Sequence, residues 1–311
     1  MYEAKTAAFF YCVSPVHMGA GTALGAVDNP IQRERHTEHP IMIGSGLKGA
    51  VRHRFKASGE SEDGLIERIF GPDPEKSDLH AGAVSFGDAQ IVLFPVRCLK
   101  EAYVYATSPV ALSRLLRLLD IVGVEGPGVE TVPQPKEGTA VVLDEQLLAD
   151  DKLILEAYAL EARGEGQEDL GRIAEWLAEH AVPARPGFFK SKIQKHLVLL
   201  DENTFSHFVR HATVVEPHVR IDDETGAAQD GGLFYTENLP PESLLVAPVM
   251  ASRDRSGTQD DSGKDPLGAA DILTHLSRGI DGQTIQVGGD ATTGRGQVVV
   301  RFGSRTAGTE G

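Results

Sequence analysis

Short apolar runs alternate with polar and glycine-rich segments along the chain, and the spacing of the apolar positions assigns each run to a strand or a helix. Continuous apolar runs of about four to eight residues are typical of buried strands, and an apolar residue every three or four positions is typical of amphipathic helices. The predicted strands are residues 6–13, 84–94 with a break at Gly87-Asp88, 102–107, 139–143, 153–160, 196–200, 213–221, 233–237, 244–250 and 297–302. The predicted helices are residues 47–56, 64–70, 108–123, 169–181, 201–211 and 269–278.

The order of these elements indicates the fold class. Strands and helices mix without strict alternation, which favours an α+β fold over a doubly wound parallel sheet. Residues 213–221 and 233–237 are the expected arms of a β-hairpin. No internal repeat and no sharp domain boundary is visible, so the 311 residues are expected to form a single domain. The Gly- and Asp-rich loop 252–266 is expected to be mobile, and the tail 303–311 to be frayed.

The charge of the chain argues at first against a nucleic-acid partner. The net charge is −15, whereas proteins that bind phosphate backbones usually carry a basic balance. The charges are, however, unevenly distributed. Residues 31–56 hold six Arg and Lys against two acids, and residues 183–196 hold four and no acid, beside Phe188-Phe189. Either basic strip could contact single-stranded RNA, although a solvated surface explains the second strip equally well.

Cysteine usage and hydropathy limit the setting in which the chain works. Cys12 and Cys98 stand far apart and form no CxxC motif, which argues against a disulfide scaffold or a cysteine-based zinc site and suits a reducing cytoplasm. No stretch approaches the roughly 20 apolar residues that cross a bilayer, so no membrane partner is expected.

A glycine motif precedes the first predicted helix. Residues 44–49 read Gly-Ser-Gly-Leu-Lys-Gly and match GxGxxG, the dinucleotide-binding pattern. The acidic residue expected at the end of a second strand, about 20 residues later, is instead Glu62-Asp63 in a polar stretch. A dinucleotide enzyme therefore requires that the motif lie in a βαβ unit. The two other interpretations are a phosphate or RNA-backbone site at a helix N-terminus and a plain glycine-rich turn.

Other candidate residues are ambiguous when they are taken one at a time. Residues 286–296 contain four glycines and Arg295, which suits either a ligand-binding loop or a strand connection. His17 before a glycine-rich loop, and Asp28 before Asn-Pro, are typical of structural and turn residues respectively. The sequence His36-Thr37-Glu38-His39 departs from the HExxH zinc motif, so a structural zinc ion is disfavoured.

Several of these stretches taken together resemble the RAMP superfamily of CRISPR proteins, and within it the backbone subunit of the type III-B (Cmr) effector complex. The matching stretches run in order along the chain and are residues 14–21, 27–37, 44–52, 70–72, 94–97, 107–109, 231–237 and 288–296. The block Val27–His36 is highly specific.

The resemblance implies a ferredoxin-like (RRM-type) palm with large insertions and a β-hairpin thumb. The palm would comprise residues 4–125 and 240–303, and the inserted lobe and thumb residues 126–239. Copies would stack as a helical filament along a guide RNA, together with other Cmr subunits. Each thumb would displace one nucleotide of the guide–target pairing, and the bound target RNA would be cut at those regular intervals by attack of a 2′-OH.

The resemblance also assigns roles to residues. The expected catalytic residues are Asp28, His17, Lys48, Tyr235 and Glu237. The expected RNA-binding residues are Ser45, Gly46, Lys48, Arg52, Arg54, Gly288, Gly289 and Arg295. An ordinary carboxylate is a weak base at neutral pH, so Asp28 is expected either to bind a divalent metal ion, magnesium being the best suited, or to orient the 2′-OH. Lys48 is expected to offset charge on the phosphate.

Two other functions remain open from the sequence. A pure scaffold would hold guide RNA and partner subunits without chemistry, and many RAMP backbone subunits are of this kind. A stand-alone endonuclease that processes guide RNA would also use RAMP elements. Asp28 favours target cleavage over the scaffold, because a scaffold has no need of an acid beside RNA.

Overall fold

The computed structural model of the chain describes residues 2–23, 25–58, 64–73, 80–256 and 266–303. The strands are β1 (Ala4–Cys12), β2 (Ile41–Met42), β3 (Val84–Phe86), β4 (Ala89–Arg97), β5 (Tyr103–Thr107), β6 (Thr139–Val142), β7 (Leu148–Ala149), β8 (Lys152–Leu155), β9 (Tyr158–Arg163), β10 (Leu197–Leu200), β11 (Val214–Ile221), β12 (Ala228–Asn238), β13 (Leu244–Ala251), β14 (Thr284–Gln286) and β15 (Gln297–Phe302). The helices are α1 (Gly44–Lys56), α2 (Leu65–Phe70), α3 (Pro109–Val122), α4 (Gln167–His180), α5 (Phe188–His196), α6 (Glu202–His211) and α7 (Ala269–Ile280).

Most of the strands lie in one large mixed sheet, which confirms the predicted α+β class. Its order is β14-β15-β1-β13-β4-β5-β10-β6-β9-β8-β7, with β2 paired to β4 and β3 paired to β13. Strands β11 and β12 pair only with each other, as an antiparallel hairpin outside that sheet. The hairpin lies where the sequence predicted it, and its second arm extends from Ala228 to Asn238.

One part of the sheet follows the expected palm topology. The elements β1, α1, β4, β13, α7 and β15 occur in the order β-α-β-β-α-β, and the four strands are neighbours as β15-β1-β13-β4, antiparallel throughout. This connectivity is consistent with a ferredoxin-like palm. Strands β6 and β8 to β10 of the predicted inserted lobe continue the same sheet, and the proposed division into palm and lobe stays a prediction.

Apolar side chains cover both faces of this sheet. Phe10 packs into a core with helices α1 and α7, while its neighbour Phe9 packs into a second core with α3 and α4. Because successive residues of a strand point to opposite faces, a strand buried on both sides reads as a continuous apolar run. This is the reason that β1 was recognisable from residues 6–13.

Two element predictions are wrong. Helix α1 begins at Gly44 rather than at residue 47, so the glycine motif forms its first turn. A Cβ at Gly44 would collide with the carbonyl oxygen of Phe86, so only glycine lets the helix lie this close to β3. Residues 153–160 are not one strand but the hairpin of β8 and β9, because Glu156 adopts a left-handed backbone (φ 50°) that turns the chain.

The remaining differences concern segments for which the sequence predicted no regular element. Residues 188–196, within the second basic strip, form helix α5, which the sequence did not predict. Most of the loop and the tail that were expected to be mobile or frayed, residues 257–265 and 304–311, lies outside the described residues. At the start of that loop Asp254 is buried and accepts a hydrogen bond of 2.5 Å from Arg68 Nε, so this end is anchored.

None of the helices in the described ranges is long and apolar enough to cross a membrane.

Candidate functional site

Asp28 lies beside the base of the β11–β12 hairpin and is held there by strand β12. The backbone N–H of Tyr235 donates to Asp28 Oδ2 at 2.7 Å. Residue Asn29 runs parallel to β12, donating to the carbonyl of Tyr235 and accepting from the N–H of Glu237, both at 3.0 Å. The Asp28 side chain is exposed, and its Oδ1 has no hydrogen-bond partner among the described residues. One carboxylate oxygen is thus fixed by the backbone and the other faces solvent.

Glu237, in contrast, is buried and fully engaged. Its side chain is 7% exposed. Oε1 accepts from Arg33 Nη2 at 2.5 Å and from Thr213 Oγ1 at 2.7 Å, and Oε2 accepts from the backbone N–H of Ile31 at 3.1 Å. Both carboxylate oxygens already accept hydrogen bonds from the protein, so neither is available to a substrate. Its geometry is that of a positioning residue rather than of a catalytic one.

His17 lies, like Asp28, in the segment that connects β1 to β2. Its Nδ1 is 2.7 Å from the backbone carbonyl oxygen of Glu237, so Nδ1–H donates this bond and the neutral ring carries its lone pair on Nε2. Nε2 faces Gly19, where a Cβ would lie only 2.9 Å from it. The main chain pairs Val16 with Leu239 directly after β12. Strand β12 therefore brings Asp28, His17, Tyr235 and Glu237 together.

The three glycine-rich segments meet in one cleft. This cleft has a volume of about 230 Å³ and is lined by Gly19, Gly46 and Gly288, by Gln32, and by the apolar side chains between them. Gly288 has φ +76°, and a Cβ there would collide with the carbonyl oxygen of His17. The N–H of Gly289 donates to that same carbonyl at 3.1 Å. Motifs that lie more than 200 residues apart in the sequence thus form one glycine-lined surface.

The first turn of α1 presents free backbone donors to this cleft. The N–H of Gly44 donates to Asp88 Oδ1 at 2.8 Å, and no side chain caps the helix at Ile43. The N–H groups of Ser45 and Gly46 have no acceptor among the described residues, and both residues are exposed. Unpaired amides at a helix N-terminus favour a negatively charged ligand.

The basic residues that follow on α1 differ in availability. Lys48 is half-buried and has no ion-pair partner among the described residues. Burial, and then the charge of Arg52, lower the pKa of its ammonium group. Arg52 pairs with Asp73 at 2.6 Å, and Arg54 donates to Gln283 at 2.8 Å. Of the three predicted RNA-binding side chains on α1, Lys48 is therefore available to a ligand, whereas both arginines already have partners within the protein.

Arg295 also has a partner within the protein. Its side chain is 12% exposed, and its guanidinium forms an ion pair with Glu216 of β11. The residue thus connects the glycine-rich loop 288–296 to the hairpin instead of facing solvent. RNA binding by the loop is better served by the glycine backbone than by this side chain.

Two of the four basic residues of the second strip have partners within the chain. Lys190 pairs with Glu179 at 2.9 Å, and Lys192 is buried with its Nζ 4.5 Å from the ring centroid of Tyr103. Phe189 packs edge-on against Tyr11 at 6.1 Å, while Phe188 is exposed. Arg185 and Lys195 are exposed and have no partner among the described residues, so both interpretations of the strip, RNA contact and solvated surface, stay open.

Some residues of this site were not recognised from the sequence. From the sequence, Arg33 contributes only a positive charge to the strip 31–56, and Thr213 only begins the predicted strand 213–221. Gln32 was not singled out, yet its side chain donates to the carbonyl of Gly19 at 3.1 Å and accepts from the N–H of Ile43 at 3.3 Å, joining the first glycine loop to α1. Their partners are distant in sequence or are backbone groups, so no local pattern identifies them.

Comparison with known proteins assigns the family. Residues 9–299 match the model of the RAMP superfamily. The chain belongs to the RAMP superfamily. Among curated RAMP proteins it is similar to the CRISPR system Cmr endoribonuclease Cmr4 of Pyrococcus furiosus, with 34% identity over 290 residues, covering 93% of this chain and 92% of that protein.

Solved RAMP structures agree with this assignment. The crystal structure of oligomeric Cmr4 from Pyrococcus furiosus superposes with a TM-score of 0.73 and 27% identity, covering 97% of this chain and 98% of that one. A chain in the cryo-EM structure of the type III-B Cmr-beta complex bound to cognate target RNA gives a TM-score of 0.71 at 18% identity, covering 97% and 98% of the two chains. At that identity the second likeness establishes the fold alone.

The site also excludes the dinucleotide alternative. Strand β2, which precedes the glycine motif, has two residues and pairs antiparallel with β4. A dinucleotide-binding loop instead joins a parallel strand directly to its helix in a βαβ unit. The motif at Gly44 is therefore a helix start that permits close packing and close approach.

Proposed function

We propose that this chain is the backbone subunit of a type III-B CRISPR ribonucleoprotein and that it cleaves bound target RNA. Its family and its similarity to a protein named as an endoribonuclease support this function. The observation that carries the proposal is the exposed Asp28 carboxylate, fixed by a backbone N–H of the hairpin and lying on the segment whose Gln32 lines the glycine-rich cleft. In this function the β11–β12 hairpin is the thumb, and β15-β1-β13-β4 with their helices form the palm.

The geometry suits cleavage by an internal nucleophile. A thumb that displaces one target nucleotide frees the adjacent 2′-OH to align with the scissile phosphorus and the leaving 5′ oxygen, and such positioning supplies several kcal/mol of catalysis. Asp28 Oδ1 accepts a hydrogen bond from the 2′-OH and orients it. The 2′ oxygen then bonds to phosphorus and gives up its proton to water, while the bond from phosphorus to the 5′ oxygen breaks and that oxygen takes up a proton from water, leaving a 2′,3′-cyclic phosphate and a 5′-OH.

Other residues around the cleft act on charge and on protons. The lone pair on His17 Nε2 accepts a hydrogen bond or a proton near the phosphate, because its Nδ1–H is committed to Glu237. Lys48 offsets the charge that develops on the phosphate oxygens. The exposed Tyr235 ring stands on the hairpin next to the N–H that fixes Asp28, where it can stack on a displaced base. Glu237 positions these groups without contacting RNA.

A divalent ion fits this site only in a limited way. No cluster of three or more His, Cys, Asp or Glu side chains able to hold an ion occurs in the described ranges. A single carboxylate oxygen, Asp28 Oδ1, is compatible with a largely hydrated ion, which suits magnesium better than calcium or zinc. When bound, such an ion would supply positive charge beside the scissile phosphate.

The cleft defines the expected RNA contacts. The amides of Ser45 and Gly46 and the backbone at Gly288 and Gly289 would hold the guide-RNA backbone, with target RNA paired along it. Further copies of the chain would continue the filament, other Cmr subunits would cap it, and the assembly would work in the cytoplasm. Because the whole chain is acidic, RNA affinity should depend on this local surface and should fall as salt rises.

The test compares two aspartates in the assembled complex. Asp28→Ala should retain assembly and target binding but lose cleavage at regular intervals. Asp120→Ala, at an exposed position of α3 away from the hairpin and the cleft, is the matched control and should cleave normally. A complex that carries Asp28→Ala and still produces the regular ladder of products would leave the scaffold as the function of this chain. Cleavage of a repeat RNA by the isolated chain would instead favour guide processing.

A further inference from the structure

We propose that Arg33 is the positioning residue that holds the Asp28 segment against the thumb strand, through its ion pair with the buried Glu237. This inference rests on the proposed function, because it treats Asp28 as the group that acts on RNA. Arg33 belongs to the basic strip 31–56, which the sequence predicts as a possible RNA-binding surface. The inference gives this residue a structural role instead.

Arg33 joins three parts of the fold. Its Nη2 donates to Glu237 Oε1 of β12 at 2.5 Å. Its Nη1 donates to the carbonyl of Val209, at the end of α6, at 3.0 Å, and to the carbonyl of Glu38, in its own loop, at 2.7 Å. The side chain is 19% exposed. A guanidinium suits this place because its planar fork can serve several acceptors at once, which an ammonium group does less well.

Glu237 transmits this anchoring to Asp28. Its Oε2 accepts the N–H of Ile31, and its own N–H donates to the carbonyl of Asn29. These bonds fix the two ends of the three-residue connection that follows Asp28, while Tyr235 fixes the Asp28 carboxylate itself. Removing Arg33 would leave Glu237 buried without its ion-pair partner, which is strongly unfavourable. Glu237 would then shift or take up a proton, and the segment that carries Asp28 would lose its register on β12.

The alternative role for Arg33 is a direct contact with RNA phosphate. The chain provides a control for it two residues away. Arg35 carries the same charge in the same loop, is exposed, and has no partner among the described residues. A purely electrostatic contribution to RNA binding would be at least as large for Arg35, whereas positioning of Asp28 would be specific to Arg33.

The experiment compares Arg33→Gln with Arg35→Gln in the reconstituted complex, measuring target affinity and the single-turnover cleavage rate at saturating target. A misplacement of about 1 Å can cost about 100-fold in rate, so Arg33→Gln should slow cleavage by roughly 10- to 100-fold. Its target affinity should stay within about 3-fold of the wild type, since binding does not use Asp28. Arg35→Gln should keep the saturating rate. Equal saturating rates for the two variants would overturn the inference.

A second pair of variants separates positioning from loss of folding. Arg33→Lys keeps the charge but not the fork, and should fold, assemble and cleave at an intermediate rate. Glu237→Gln should slow cleavage as Arg33→Gln does, and the double variant should be no slower than either single one, because both remove the same link. Additive losses would overturn the inference. Normal cleavage by Asp28→Ala would instead refute the proposed function, whatever Arg33 does.

Discussion

Replacing Gly46 by alanine separates the RNA-binding role of the first turn of α1 from its structural role. A Cβ at Gly46 meets no protein atom within 4 Å, and the same holds for Gly49 one turn later. Gly46 lines the glycine-rich cleft, whereas Gly49 does not. Each substitution therefore adds one methyl group to the exposed surface of the same helix, and only one of the two methyl groups enters the proposed path of the RNA backbone.

The expected magnitudes follow from this geometry. Alanine is favoured over glycine in a helix interior by about 1 kcal/mol, so Gly49→Ala should be stabilising by up to that amount, and Gly46→Ala, in the first turn, by less. For a chain of this length about 1 kcal/mol raises Tm by roughly 2 °C. Loss of one charge-assisted hydrogen bond from the helix start to a phosphate costs at least about 1.5 kcal/mol. Gly46→Ala should therefore weaken guide-RNA binding by about 10-fold or more.

Thermal unfolding of the isolated variants and RNA titration of the assembled complex provide the two measurements. Both variants should unfold at or above the wild-type temperature, and only Gly46→Ala should bind guide RNA more weakly. If both variants bound RNA as the wild type does, the first turn of α1 would not contact the backbone. If Gly46→Ala unfolded several degrees lower, the space around Gly46 would not be open.

Two further predictions concern stability. Gly44→Ala should lower Tm, because its Cβ would collide with the carbonyl oxygen of Phe86 and overpacking costs about 1 to 3 kcal/mol; a Tm at or above that of the wild type would contradict this packing. Burial raises the pKa of Glu242 from 4.5 to about 7. The folded chain therefore holds the carboxyl proton of Glu242 more tightly than the unfolded chain does. The stability that this proton contributes is lost as pH rises from about 4.5 to about 7. Glu242→Gln avoids that loss, and its Tm relative to the wild type should therefore be higher at pH 8 than at pH 5. The same Tm difference at both values would show that Glu242 does not titrate in this way.

Local signals explain the parts of the fold that were predictable. Ser108 caps α3 by accepting the N–H of Ala111 at 3.2 Å, and Asp201 caps α6 by accepting the N–H groups of Asn203 and Thr204 at 3.1 Å. Gly87 interrupts the strand between β3 and β4 as expected. Each of these features depends on residues within a few positions of one another, so each is visible in the sequence.

The missed features depend on contacts between distant residues or on context. The turn between β8 and β9 uses Glu156 at positive φ, where the sequence offers no glycine. The Arg33–Glu237 pair joins residues 204 positions apart. The local charge of residues 31–56 suggested an RNA-binding strip, yet Arg33, Arg52 and Arg54 all have partners inside the protein. A count of charges does not show which cations are already paired.

Asp28 is the central residue of the proposed site, and the most direct measurement of its role is the single-turnover cleavage rate of a complex carrying Asp28→Asn. The amide oxygen can still accept the Tyr235 N–H, so the loop should keep its place, but the negative charge is lost. Target binding should be unchanged and the rate at least about 100-fold lower, in line with the loss of the group that orients the nucleophile. Cleavage at the wild-type rate would contradict the assignment of the site to Asp28.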